Sequence, residues 1–150
     1  MLELPPDVAA EVEALTAEGH GAASDGAFAQ AVLRYEAALE LLPEPRGQWA
    51  AATRLWCAVA DARWRGRDLV GALEPVALAM EHGERDNAFL HLRRGQCLME
   101  LGYEADALDA LARAFAGGGR ALFAREEPRW LEAIADLAAI PRPGEEEPEW

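Results

Sequence analysis

The sequence predicts an all-α chain: an α-solenoid of three helix hairpins plus a C-terminal capping helix. Three observations predict it. A small residue, a second twelve positions on and an Ala seven further recur as Gly19–Ala31–Ala38, Ala60–Ala72–Ala79 and Gly95–Ala107–Ala114. A repeat of about 34 residues, built as two helices that meet over small side chains, marks a solenoid. Ala and Leu dominate while β-branched residues are few, which favours helix over strand. No segment alternates apolar and polar residues in the period-two pattern of a half-buried strand.

Pro5-Pro6-Asp7 reads as a helix start, with Asp7 as N-cap and Glu11 and Glu13 in the early turns. Val8, Val12, Leu15 and Gly19 then share one face, and Ser24-Asp25-Gly26 breaks the helix. Phe28, Ala31, Val32, Tyr35, Ala38, Leu39 and Leu42 form the stripe of a second helix, which Pro43-Glu44-Pro45 stops. A third runs from about Gln48 to Arg65 and carries Trp49, Leu55, Trp56, Val59, Ala60 and Trp64. Gly66-Arg67-Asp68 is the next turn, with Asp68 capping a helix from Leu69 to Met80. Pro75 inside that helix removes one hydrogen bond and bends the axis, and Gly83 ends it as a left-handed cap.

Asn87 caps a fifth helix, Ala88 to Leu101, which Gly102 closes. Tyr103, Ala107, Leu108, Leu111, Ala114 and Phe115 make the sixth, and Gly117-Gly118-Gly119 is read as a firm break. Beyond it lie a short helical segment at 121–125 and a last helix opened by Pro128, reaching about Ala139. The hairpins are thus expected at about 8–43, 48–83 and 87–117 and the capping helix at about 120–140, all in one domain, 1–140. The acidic, proline-rich residues 141–150 read as a flexible tail.

All 14 basic residues are Arg, against 27 acids, for a formal net charge of −13. That field repels phosphate backbones and anionic lipid, so nucleic acid and membrane surfaces are poor partners and a basic polypeptide is the better one. The acidity serves solubility equally well. A hydrophobic fraction of 51% excludes a disordered chain. No apolar stretch approaches the ~18–20 residues of a transmembrane helix, and the segment from Met1 to Pro6 lacks the basic and apolar regions of a secretory signal. Cys57 and Cys97, each in an apolar helical pattern, fit unpaired thiols in a reducing cytoplasm.

With its elements laid out, the chain resembles the tetratricopeptide repeat (TPR) family over roughly residues 10–120. The first unit offers Leu15, Gly19, Ala31, Tyr35, Ala38 and Pro43, with Ala22 where the family has an aromatic. The second offers Trp56, Val59, Ala60, Ala72, Val76 and Ala79, and the third Gly95, Leu98, Gly102, Ala107, Leu111 and Ala114. Unit two is displaced by about 41 residues from unit one, its turn Gly66 comes one position early, and unit three carries His91 and Arg94 at apolar positions. Asn87 to Trp130 is also similar to small bacterial TPR proteins, some of them near polymorphic toxin genes, which implies a possible immunity role.

The resemblance implies a superhelix whose first helices line a concave side that binds another polypeptide. In that register the candidate partner-binding residues are His20, Arg54, Asp61, Trp64, Arg65, Phe89, Leu92, Arg93, Gln96 and Met99. Trp, Phe, Met and Arg are enriched at interfaces, though Trp64 also fits packing under the next helix and Arg93 also fits a solvated face. A Lys/Asn/Arg carboxylate clamp, as one TPR subclass carries, is not expected: the chain has no Lys, and Asp61 would repel the ligand.

Catalysis has little to stand on. Ser24, the sole serine, belongs to a turn beside His20, and Cys57 lacks a local nucleophile pattern. Three scattered histidines and two cysteines show no metal-ligand spacing, and the triple glycine is neither preceded by a strand nor followed by Lys. The expectation is a non-enzymatic, cofactor-free cytoplasmic protein, monomer or weak homodimer, that binds a basic polypeptide, as an immunity protein or as an adaptor or co-chaperone. A small Cys or Ser hydrolase is the outside alternative.

Overall fold

The recurring small residues lie where helices touch. Ala31, Ala38, Ala60, Ala72, Ala79, Ala107 and Ala114 are all fully buried, and Gly19 and Gly95 are buried with them. A Cβ on Gly19 would overlap the Tyr35 ring, and one on Gly95 would stand 2.7 Å from Leu111 Cγ. Paired helices approach closely at these points because no side chain holds them apart, and Tyr35 and Leu111 fill the gap from the partner helix.

A computed structural model describes residues 3–135, which form seven α-helices and, among the described residues, no strand. They are α1 (Pro6–Ser24), α2 (Phe28–Glu40), α3 (Ala50–Arg65), α4 (Leu69–Ala79), α5 (Ala88–Glu100), α6 (Glu104–Phe123) and α7 (Pro128–Ala133). The chain divides between Arg85 and Asp86 into two compact units. In the first, α1 pairs with α2, α2 packs on α3, and α3 pairs with α4. In the second, α5 pairs with α6, and α7 packs on α6.

The three hairpin turns are one device used three times. The Ala27, Asp68 and Tyr103 N–H groups donate to the Ala22, Arg63 and Leu98 carbonyls at 2.8, 2.8 and 2.9 Å. These six-to-one bonds require a left-handed residue just before the donor. Gly26 (φ 77°), Arg67 (φ 65°) and Gly102 (φ 93°) supply it. Gly66, expected as the turn residue, keeps φ −82°, so the strained position falls one residue later, on an arginine. Asp68 and Asn87 cap α4 and α5 as expected, accepting from the Gly71 and Leu90 N–H groups.

Other boundaries differ from expectation. Asp7 lies inside α1 and Pro5 takes the cap, because Pro6 has no N–H to satisfy and its ring pre-sets the helical φ. α3 starts at Ala50, after a single 3₁₀ turn over Arg46–Gln48, and the Trp49 indole N–H donates to the Pro43 carbonyl at 2.8 Å. Pro75 stays inside α4 and deprives the Gly71 carbonyl of its helical donor. The Arg63 guanidinium replaces it: Nη1 donates to Gly71 O at 2.9 Å, while Nη2 holds Glu36 Oε1 at 2.6 Å.

The triple glycine does not stop α6. Gly117 and Gly118 remain in a helix that continues to Phe123, and only Gly119 leaves helical geometry (φ 61°, ψ −163°). Gly117 is useful there, since a Cβ would stand 3.1 Å from that of Ala88 on α5. The separate segment expected at 121–125 therefore begins as the end of α6. The rest of the expected last helix and the 141–150 tail lie outside the described residues.

Candidate functional site

In the first unit the helices α1 and α3 bound a groove of about 380 Å³. Val12 and Leu55, both buried, form its apolar floor, and Glu13, Thr16, His20 and Arg54 supply its polar lining. The Thr16 hydroxyl is occupied, donating to the Val12 carbonyl at 2.7 Å. His20 is exposed, yet its Nδ1 shares a 2.7 Å hydrogen bond with the Tyr35 hydroxyl, and the two rings meet edge-on at 5.4 Å.

Tyr35 reaches this place because Gly19 leaves the path open. Burial raises the pKa of its hydroxyl, the Asp61 carboxylate adds to the rise, and the Arg65 guanidinium opposes it. His20, Asp61 and Arg65 therefore gather about one buried phenol. Asp61 and Arg65 also form an ion pair one helical turn apart (3.5 Å), and Arg65 lies over the Phe28 ring at 4.7 Å. Arg54 stands apart from this cluster, exposed on the groove wall.

The remaining predicted residues are differently employed. Trp64 is buried, with the Arg67 guanidinium 5.5 Å from its ring centre. In the second unit Leu92, Arg93 and Gln96 are 1, 7 and 0% exposed, where a partner-facing surface was expected. Arg93 Nη1 donates to Gln96 Oε1 at 2.7 Å and pairs with Glu126 Oε1, to which Gln96 Nε2 also donates at 2.7 Å. Phe89 lies under the same guanidinium at 4.9 Å, and Met99 is half-buried. The reason is electrostatic: a guanidinium taken out of water needs an anion beside it, and Glu126 provides one.

Tyr35, Glu13 and Glu126 are the residues the sequence did not nominate. Tyr35 shows in the sequence only in an apolar stripe and among the TPR-like positions, neither of which marks a polar site. Glu126 lies 33 positions beyond Arg93, past all of α6, so no helical spacing connects them.

Cys57 and Cys97 are free thiols, and burial, with Glu84 adding to it, pushes the Cys57 pKa up to about 11. A thiol so placed stays protonated near neutral pH and is a poor nucleophile. Ser24 is exposed at the last position of α1. Among the described residues no three His, Cys, Asp or Glu side chains are grouped to hold a metal ion, and no helix is long and apolar enough to cross a membrane. No protein-family model matches the chain, and no curated protein matches it either.

Proposed function

We propose that the chain is a non-enzymatic, TPR-like α-solenoid that binds a basic polypeptide along the groove between α1 and α3. The observation that carries this reading is the groove itself. It joins the first helices of two successive hairpins, has an apolar floor for a partner side chain, and has donors and acceptors on its walls. Arg54 and His20 offer hydrogen bonds to partner carbonyl groups, while Glu13 and the net charge of −13 favour a cationic chain. Masking a basic toxin domain as an immunity protein would use this chemistry, as would an adaptor's hold on a basic segment.

The test begins with affinity capture on the immobilised chain and mass spectrometry of what is retained. The purified partner is then titrated against the native chain and against Ala17→Trp/Arg54→Glu, which fills the groove and reverses the charge of its wall at exposed positions. Loss of a single hot spot of about 2 kcal/mol corresponds to about thirtyfold in affinity. An unchanged affinity with an intact helical spectrum would reject the groove.

A further inference from the structure

A second cavity in the first unit, of about 260 Å³, opens where α2, α3 and α4 meet, away from the α1–α3 groove. Its floor is apolar: Leu39 and Trp56 are buried there, and Leu78 lines the α4 side. Above that floor stand Glu40, the last residue of α2, and Glu74, on α4, both exposed. Neither carboxylate has an ion-pair or hydrogen-bond partner among the described residues.

The other charges of the cavity are already committed. Arg63 is held by Glu36 at 2.6 Å and by the Gly71 carbonyl freed by Pro75, so its cation does not neutralise the two open carboxylates. The end of α2 adds to their field: its last turn contains no basic residue, and a helix C-terminus presents unsatisfied carbonyls with partial negative charge. Arg46 lines the same cavity, and its cation is ion-paired with Glu44 at 3.6 Å.

We infer that this cavity is a subsite for one arginine or lysine residue of a polypeptide partner. The side chain's methylene stem lies on Trp56 and Leu78, and its cation meets Glu40 and Glu74. A stem that packs on apolar surface while its head stays with charge is how long basic side chains behave. A free inorganic cation would leave the apolar floor unused. The inference rests on the proposed reading of a basic polypeptide partner, but it places the basic residue on the α2–α4 side.

The experiment uses the full chain and blocked tripeptides as probes: acetyl-Ala-Arg-Ala-amide, its Lys counterpart, and the Glu counterpart as control. Binding is read by nitrogen–proton correlation spectra, in which the Trp56 indole N–H reports this cavity and the Thr16, His20 and Arg54 amides report the α1–α3 groove. The Arg and Lys peptides are expected to shift Trp56 saturably and the Glu peptide to leave it still. Glu40→Gln/Glu74→Gln, exposed changes that leave the fold intact, should weaken the Arg peptide about fivefold, as loss of two solvent-exposed ion pairs predicts. Shifts confined to the α1–α3 groove would overturn the subsite while leaving the proposed function standing. No shift at Trp56, or one that the double substitution does not weaken, would overturn it as well.

Discussion

The hairpin α5–α6 and the two hairpins before it share one contact design and use their polar residues in opposite ways. Position by position, Gly95, Ala107 and Ala114 repeat Gly19, Ala31 and Ala38, and the Leu98–Tyr103 turn bond repeats that of Ala22–Ala27. His20 and Gln96 each directly follow the glycine of their own helix contact, yet His20 is exposed at a groove while Gln96 is fully buried against Arg93 and Glu126. The difference teaches that repeat register fixes which side chains meet the paired helix. It does not decide whether a polar residue beside that contact faces solvent or an internal counter-charge.

The sharpest way to break this comparison is to remove the counter-charge. Glu126→Ala should cost about 3 kcal/mol in urea unfolding, because it takes the Glu126 carboxylate away from both the buried Arg93 guanidinium and Gln96 Nε2. Arg93→Met/Gln96→Leu/Glu126→Met, which replaces the whole buried polar cluster by apolar side chains of similar volume, should recover most of that loss. A cost near zero for Glu126→Ala would mean that the second unit's polar cluster is wet and comparable to the His20 side of the first.

A smaller effect is expected from the first unit's own internal arginine. Arg63→Met removes a charged donor from both the Gly71 carbonyl and Glu36, at about 1.5–3 kcal/mol. Pro75→Ala supplies the missing N–H, so Arg63→Met should cost at least ~0.5 kcal/mol less in that background, a coupling that a double-mutant cycle reads directly. Additive costs would show that Arg63 does not stand in for the proline's lost hydrogen bond.

Next in size is the turn. Gly102→Arg should destabilise by about 1 kcal/mol, because it forces a side chain into left-handed backbone that Arg67 already tolerates. Arg67→Gly should be neutral or stabilising by a few tenths of a kcal/mol in the same thermal-melt assay, strain relief being offset by backbone entropy and the lost contact with Trp64. The smallest effect is chemical. With its pKa at about 11 against 9.0, Cys57 keeps its proton in the folded chain at pH values where the unfolded chain has lost it. Its contribution to stability is therefore full below pH 9 and is lost as pH rises through 11. Iodoacetamide at pH 8 should label Cys57 far more slowly in the folded chain than in urea, as intact mass spectrometry would show.

Much of this molecule was legible in the sequence. The small triplets, the apolar stripes and the caps at Asp68 and Asn87 rest on local spacing, and local spacing is what a sequence displays. Gly83, expected as a left-handed cap, has φ 112°. Gly117 and Gly118 misled because glycine lowers helix propensity by only ~1 kcal/mol, which close packing of α6 on α5 outweighs. Of the site, His20, Asp61 and Arg65 were nominated one by one and meet at Tyr35, a meeting that depends on the missing side chain of Gly19. Arg93 and Gln96 could not be read correctly, since their burial depends on Glu126, a residue brought to them only by the turn after α6.

Hydrogen exchange of the full chain, with and without its captured polypeptide partner, decides whether the α1–α3 groove holds that partner. Added protection is expected in peptides from Pro6–Ser24 and Ala50–Arg65, the two walls of the α1–α3 groove, with its loss in Ala17→Trp/Arg54→Glu. Protection confined to α5, α6 and α7, with both groove walls exchanging as in the free chain, would contradict it.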